Sequence, residues 1–294
     1  MSEARPVTPA PWDANCRRQT GESERVEKCI LALINLTNLF KYFLTQIYYN
    51  IYMQDEKIFD RIEKKYIIDE PTKTHMLEQI TQYMERDHYH QSKVFNIYFD
   101  TDNFDLIIQS IEQPKFKEKL RARSYGGYDK VFLEIKTKLR GKENNVGYKR
   151  RVLITKKDYD KLIHKKSTII ELASKKQETP SGIQIAKEVD YLIQHFNLEP
   201  KIIVYYDRES YTGENKLRIT FDENLKYRTK NLKFTENSRD KHYFKDENNI
   251  IMEIKAHGVL PLWLVKALSA EHAYPQQFSK VGHSYTLIRK EQNV

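Results

Sequence analysis

Lys115, Lys117, Lys119, Arg121 and Arg123 occupy every second position of one short run, KFKEKLRARSY. In an extended chain successive side chains point to opposite faces, so this spacing puts all five cations on one side of a strand. Phe116, Leu120 and Ala122 fall between them and can face an apolar layer. A helix would scatter the same charges around its circumference. The chemistry open to such a face is electrostatic: it can hold a polyanion, with guanidinium groups meeting phosphate oxygens in pairs.

The same register recurs along the chain. Arg61, Glu63 and Lys65 share a face in 61–67, opposite Ile62, Lys64 and Tyr66. In 131–138, Val131, Leu133 and Ile135 oppose Phe132, Glu134, Lys136 and Lys138. Lys149 and Arg151 share a face, and Tyr206 and Arg208 share one with Ile202 and Val204. Leu217, Ile219 and Phe221 oppose Arg218, Thr220 and Asp222; Met252, Ile254 and Ala256 oppose Ile251, Glu253, Lys255 and His257. A half-solvated antiparallel sheet explains each alternation singly. It explains less well a polar register so rich in Lys and Arg, because like charges side by side on a sheet repel. Closing such a sheet into a barrel, charged face inward, would make a cationic tunnel with helices over its apolar outside. Phosphoryl transfer suits that interior, since it depends on positioning, charge neutralisation and a divalent metal on phosphate oxygens. Glu63, Glu134, Asp222 and Glu253 are the hard oxygen ligands in that register. Taken alone, each reads first as an ion-pair partner.

Composition sets the bounds. The chain has 294 residues, 39% hydrophobic and 31% charged, enough for a real core and above the usual charged share of about 25%. Its formal charge of +9 favours an anionic partner. The two cysteines, Cys16 and Cys29, lie near the N-terminus, which excludes a disulfide framework or zinc-thiolate site from position 30 onward. No H-E-x-x-H spacing occurs, and His88-Tyr89-His90 reads as part of a loop. Gly126-Gly127 is not followed by Gly-Lys-Ser/Thr, so any nucleotide is handled without a P-loop.

Residues 1–25 read as disordered, with Pro6, Pro9 and Pro11 close together. Residues 26–52 turn apolar, but Asn35, Asn38, Lys41, Gln46 and Asn50 favour an amphipathic helix at a membrane surface over a span. Met53 opens MQDEKIFDRIEKKY like a natural start, so residues 1–52 also read as an extension with no role in the fold. The folded domain is expected over 58–294, after a tail covering 1–57. Strands are expected at 62–68, 93–100, 115–125, 131–139, 148–155, 201–208, 216–222, 225–229 and 250–257. Helices are expected from Pro71 to about Arg86, over 103–111 behind an Asp102 cap, after Asp158 as cap, over 183–196 and from Pro261 to Ser269. Residues 175–181 read as a loop. The fold class is α+β, a largely antiparallel sheet or barrel flanked by helices.

In order, Arg61-x-Glu63-Lys64-Lys65-Tyr66, Tyr98-Phe99-Asp100-Thr101, Lys119-Leu120-Arg121-x-Arg123, Leu133-Glu134-Ile135-Lys136 and Lys149-x-Arg151 form a series. It continues with Tyr206-x-Arg208, Leu217-Arg218-Ile219-x-Phe221-Asp222, Met252-Glu253-Ile254-Lys255 and Phe278-Ser279-Lys280. Over about 60–285 the series resembles the catalytic domain of the vacuolar transporter chaperone (VTC) family, a branch of the triphosphate tunnel metalloenzymes. The resemblance implies an antiparallel tunnel, Mn²⁺ or Mg²⁺, and transfer of the terminal phosphate of ATP to a growing polyphosphate chain. By motif, Lys65, Arg121, Arg123, Lys136, Lys149, Arg208, Arg218 and Lys280 would hold phosphates, Tyr206 would assist, and Glu253 would hold the metal. Lys119 and Lys138 join by strand register only. Related hydrolases and cyclases open with Glu-x-Glu-x-Lys; Arg61 at the first position favours the polymerase branch. ATP and polyphosphate are then the expected partners, with no nucleic acid, in a cytoplasmic setting with membrane contact through 26–52. The alternatives are a tripolyphosphate or nucleoside triphosphate hydrolase, a non-catalytic polyphosphate binder and, more weakly, an RNA-binding module.

Overall fold

A computed structural model describes residues 61–112, 115–140, 145–175, 179–237, 242–244 and 249–292. The expected tail, the apolar stretch 26–52 and the start at Met53 lie outside the described residues. The alternation seen in the sequence is the pleat of one nine-stranded sheet, antiparallel at every pairing. Its strands are β1 (Arg61–Ile68), β2 (Glu85–Asp100), β3 (Phe116–Tyr125), β4 (Val131–Arg140) and β5 (Asn145–Ile154). They continue with β6 (Glu199–Thr212), β7 (Arg218–Arg228), β8 (His242–Tyr243) and β9 (Ile250–His257). The order is β1-β9-β7-β6-β2-β3-β4-β5, with β8 on β7. The helices are α1 (Glu70–Tyr83), α2 (Asp105–Glu112), α3 (Lys156–Ile163), α4 (Ile169–Lys175), α5 (Pro180–His195), α6 (Leu262–Ala270) and α7 (Lys280–Gln292).

The expected closed barrel is corrected here: among the described residues no ladder joins the edge strands β1 and β5. Twist nevertheless curls the sheet strongly. Lys136 on β4 comes within 3.9 Å of Glu63 on β1, so a long ion pair spans the two ends of the sheet where a ladder was expected.

Two apolar clusters cover the convex face. Leu120, Ala122, Leu133, Ile135, Ile97 and Val152 pack under α3, α4 and α5, through Tyr159, Ile169, Ala173, Ala186 and Val189. Met252, Ile254, Ile219 and Tyr66 pack under α1 and α6, through Met76, Ile80 and Leu264. Phe116, expected in such a layer, is exposed. The concave face is only partly cationic, a second correction. Val94, Tyr98, Ile202, Val204, Tyr206 and Ile251 form a third cluster on it, filled by Val281, Leu287 and Ile288 of α7. α4 and α7 have no counterpart among the expected helices.

Several boundaries move for local reasons. α1 is capped by Asp69, whose carboxylate accepts from Thr72 N at 3.0 Å, and stops at Tyr83 because Glu85 pairs with Thr212 in β6. The His88–His90 stretch lies inside β2, not in a loop; a register slip between Arg86 and Gln91 had hidden its alternation. The strands expected at 216–222 and 225–229 form one β7, joined through Asn224 at φ 52°. Thr155, not Asp158, caps α3. Asp100, not Asp102, serves the start of α2, accepting from Leu106 N and Ile107 N at 2.9 Å each. Pro261 sits at the N-cap of α6.

Leu133 is fully buried under the α3–α5 layer. Leu133→Ala should cost about 2–5 kcal/mol in urea unfolding, while Phe116→Ser on the neighbouring strand should stay within about 0.5 kcal/mol.

Candidate functional site

Two buried carboxylates organise the concave face. Glu134 of β4 is 1% exposed and stands opposite Arg121 of β3 and Arg151 of β5. Arg121 donates to its Oε2 through Nε (2.8 Å) and Nη2 (2.6 Å), and Lys149 Nζ lies 2.7 Å from Oε1. Arg123 lies 3.9 Å away and gives its Nε–H to Asn96 Oδ1 at 2.8 Å. Burial pushes the Glu134 carboxyl up, but Arg121, Arg123 and Lys149 together hold it down at about 2.

Asp222 of β7 is fully buried opposite Arg208 of β6. Arg208 makes a two-pronged contact with it, Nε to Oδ1 at 2.6 Å and Nη2 to Oδ2 at 2.7 Å. Lys280, the first residue of α7, reaches the same Oδ2 at 2.6 Å. Lys280 and Arg208 also lie over the Tyr206 ring, 4.9 and 5.3 Å from its centroid, and Arg208 donates to the Tyr206 hydroxyl at 3.4 Å. Burial works against the charge on Asp222, yet Arg208 and Lys280 hold its carboxyl below the usual range.

Between these anchors lie groups with less charge compensation. Lys65 donates to the Phe278 carbonyl at 2.9 Å, and Lys119 to Ser279 Oγ at 3.4 Å; neither makes an ion pair with a described carboxylate. Burial lowers the Lys65 ammonium despite the nearby Glu253. It lowers Lys119 to about 8, with Tyr98 opposing and Lys117, Lys136 and Lys65 adding to the shift. Burial alone would raise the Tyr98 hydroxyl, but Arg121, Lys119 and Arg123 bring it down to about 8. Glu253 of β9 is paired with Lys255 at 2.7 Å and lies 4.0 Å from Arg208. Burial opposes its ionisation, but Lys255, a hydrogen bond with Glu63 and the charges of Lys65 and Lys280 hold it well below the usual range.

The curled sheet thus gathers Lys65, Lys119, Arg121, Arg123, Lys136, Lys149, Tyr206, Arg208, Glu253 and Lys280 on one face. Arg218 shares the face but is largely exposed and held by Asp87 at 2.9 Å. Lys138 is exposed farther along β4, opposite Lys117 and Gly147. Glu134 and Asp222, weighed as metal ligands by register, are instead spent on ion pairs. Glu253, itself paired with Lys255, and Glu63, 3.9 Å from Lys136, are close enough to hydrogen-bond across the β1–β9 pair. Two hard oxygen donors without Cys or His fit Mg²⁺ or Mn²⁺, which take one or two carboxylates beside substrate phosphate. Among the described residues no three His, Cys, Asp or Glu side chains converge as a cage.

Tyr98, Lys255 and the Phe278–Ser279 contacts were missed as site groups. Tyr98 and Lys255 did lie in the right register, and Tyr98 could have been found from its pairing with Arg121. The Phe278–Ser279 contacts, made from the start of α7, carry no periodic signal.

The VTC domain profile matches residues 60–289. The chain belongs to the VTC domain family. It is 26% identical over 144 residues to vacuolar transporter chaperone complex subunit 4 of Schizosaccharomyces pombe, a stretch covering 45% of this chain and 20% of that protein. The chain therefore spans about a fifth of that relative's length. Among solved structures, a putative adenylyl cyclase from Hippeastrum, described as having a dominant triphosphatase activity, aligns with TM-score 0.45 and 13% identity. That alignment covers 79% of this chain and 96% of the other. The PH1819 protein from Pyrococcus horikoshii aligns with TM-score 0.40 and 15% identity, over 78% of this chain and 99% of the other. No helix among the described residues of this VTC domain is long and apolar enough to cross a membrane.

Glu134→Gln would leave Arg121 and Lys149 without their counter-charge and should cost about 3 kcal/mol in urea unfolding. The native carboxyl, held at about 2, lies below its ordinary value of about 4.3. Its stabilisation is complete above that ordinary value and is lost as pH falls through about 2, so the wild type should lose stability more steeply in acid than the variant.

Proposed function

We propose that this VTC domain, within residues 58–294, transfers the terminal phosphoryl group of ATP to a growing polyphosphate chain lying along the concave face. The observation that carries the reading is the pairing of two kinds of cation. Arg121, Arg208 and Lys280 are held by buried carboxylates, while Lys65 and Lys119 sit beside them with no described carboxylate in an ion pair, although Glu253 stands opposite Lys65 in the β1–β9 ladder. Crowding and burial lower both lysines, so the unliganded face carries a free-energy cost that a chain of phosphates would relieve. A polyphosphate carries about one charge per phosphorus and would lay successive charges along the cations of the Glu134 and Asp222 clusters.

In this mechanism Arg121, Arg123 and Lys149 orient one part of the phosphate chain, and Arg208, Lys280 and Lys65 another. Lys119 and Lys136 neutralise charge between them, and Tyr206 keeps Arg208 and Lys280 aligned from below. Arg218 and Lys138, at the exposed margins, draw substrate toward the groove. The terminal phosphate oxygen of the acceptor attacks the γ-phosphorus of ATP, the bond to the bridging oxygen breaks, and ADP leaves. Glu253, with Glu63, would hold Mn²⁺ or Mg²⁺, which supplies charge neutralisation on the transferring phosphoryl group. Membrane contact through residues 26–52, as part of a larger complex, belongs to the same proposal.

Incubation of the full chain with ATP and Mn²⁺ should yield a long polymer that a polyphosphatase degrades. Release of free phosphate alone would identify a hydrolase and overturn the polymerase reading. Glu253→Gln should abolish turnover while leaving the unfolding curve cooperative, and unchanged turnover would remove Glu253 as the metal ligand. Calorimetric titration gives a further check through pH. A bound anion favours charged Lys119, whose value without ligand is about 8, so tripolyphosphate affinity should be flat below about pH 8 and fall above it. Tyr98, ionising near the same pH, adds negative charge and acts in the same direction.

A further inference from the structure

Beside Arg123 and Glu134 the concave face changes character. Phe132 stands opposite Arg123 in the β3–β4 ladder and interrupts the series that continues as Glu134, Lys136 and Lys138. Tyr125, two positions on from Arg123, meets the Phe132 ring edge to face at 6.3 Å between centroids. Arg151, opposite Glu134 on β5, lays its guanidinium over the same ring, 4.8 Å from the centroid. Both rings are half-buried and Arg151 is exposed, so the group can be reached from solvent. Phe132 belongs to none of the three apolar clusters, which leaves this aromatic side chain outside the core packing of the sheet.

We propose that Phe132, Tyr125 and Arg151 form a nucleobase ledge. The base of a nucleoside triphosphate would stack on Phe132 in the place the Arg151 guanidinium now takes, with that exposed guanidinium moved out onto the base's other face and Tyr125 holding the ring from its edge. Arg123 is the registered neighbour of Phe132, about 5 Å away between Cα atoms, so the phosphates would run from the ledge onto Arg123, Arg121 and Lys149. A ring and a guanidinium recognise the face of any base. The ledge therefore distinguishes nucleoside triphosphates from inorganic tripolyphosphate and treats adenine and guanine alike. The inference rests on the reading of the groove as a triphosphate site, and it assigns the nucleoside end of that substrate.

The test is calorimetric titration of the full chain and its Phe132→Leu variant with ATP, GTP and tripolyphosphate, in Mg²⁺ at fixed ionic strength. Leucine keeps the apolar volume and removes the π face. ATP and GTP should each weaken about tenfold, within the range of base–aromatic stacking, while tripolyphosphate affinity stays the same. Unchanged tripolyphosphate binding also shows that the variant is folded. Phe132→Trp should retain nucleotide affinity. Equal weakening of all three ligands, or no weakening of ATP, overturns the ledge. Wild-type binding of tripolyphosphate without ATP overturns the ledge, and ATP as donor with it, but keeps the groove as a triphosphate site; binding of neither overturns the groove reading as well.

Discussion

The structure depends on keeping many like charges together on the inside of a curled sheet. Two carboxylates make that tolerable. Glu134 and Asp222 are almost inaccessible to water; cations from neighbouring strands surround Glu134, while Arg208 of β6 and Lys280 of α7 hold Asp222. Burial by itself would favour protonating both carboxyls, but the guanidinium and ammonium groups around them reverse the balance. Each pair is fixed by strand register, since Arg121 stands opposite Glu134 and Arg208 opposite Asp222. The apolar residues between them lock that register, because a slip of one residue would send the cations into the helix-covered layer.

α7 completes the same arrangement from outside the sheet. Its first residue, Lys280, binds Asp222 of β7, and the two residues before it accept from Lys65 of β1 and Lys119 of β3. One short segment thereby ties together strands that are distant in the sheet. Its apolar side, through Val281, Leu287 and Ile288, fills the part of the concave face where β2 and β6 turn hydrophobic. Charge and packing divide this face between them, and Tyr206 stands at the border, buried in the cluster while lying under two cations.

Strand faces were legible because period-two alternation is a local property of the chain. Glu63 with Lys65, Arg121 with Arg123, and Glu253 with Lys255 all emerged on the face that the sequence assigned them. Legibility failed where the pleat is interrupted or the partner is remote. The slip between Arg86 and Gln91 made His88–His90 look like a loop, and Asn224 split β7 into two apparent strands. α7 could not be placed because its role is set by contacts with β1, β3 and β7, which leave no periodic trace in KVGHSYTLIRKEQ. The role of Glu134 was likewise ambiguous: register showed it facing inward, but only the three surrounding cations decide that it anchors ion pairs.

The long contact between Lys136 and Glu63 gives the groove a mechanical property of its own. A ladder between β1 and β5 would fix the girth of the fold through a row of directional bonds. A partly exposed ion pair acts as a soft clasp, weakened by salt and by any charge that competes for either partner. The circumference of the groove is therefore elastic on one side and stiffer on the other, where antiparallel ladders join β6 to β2 and β2 to β3.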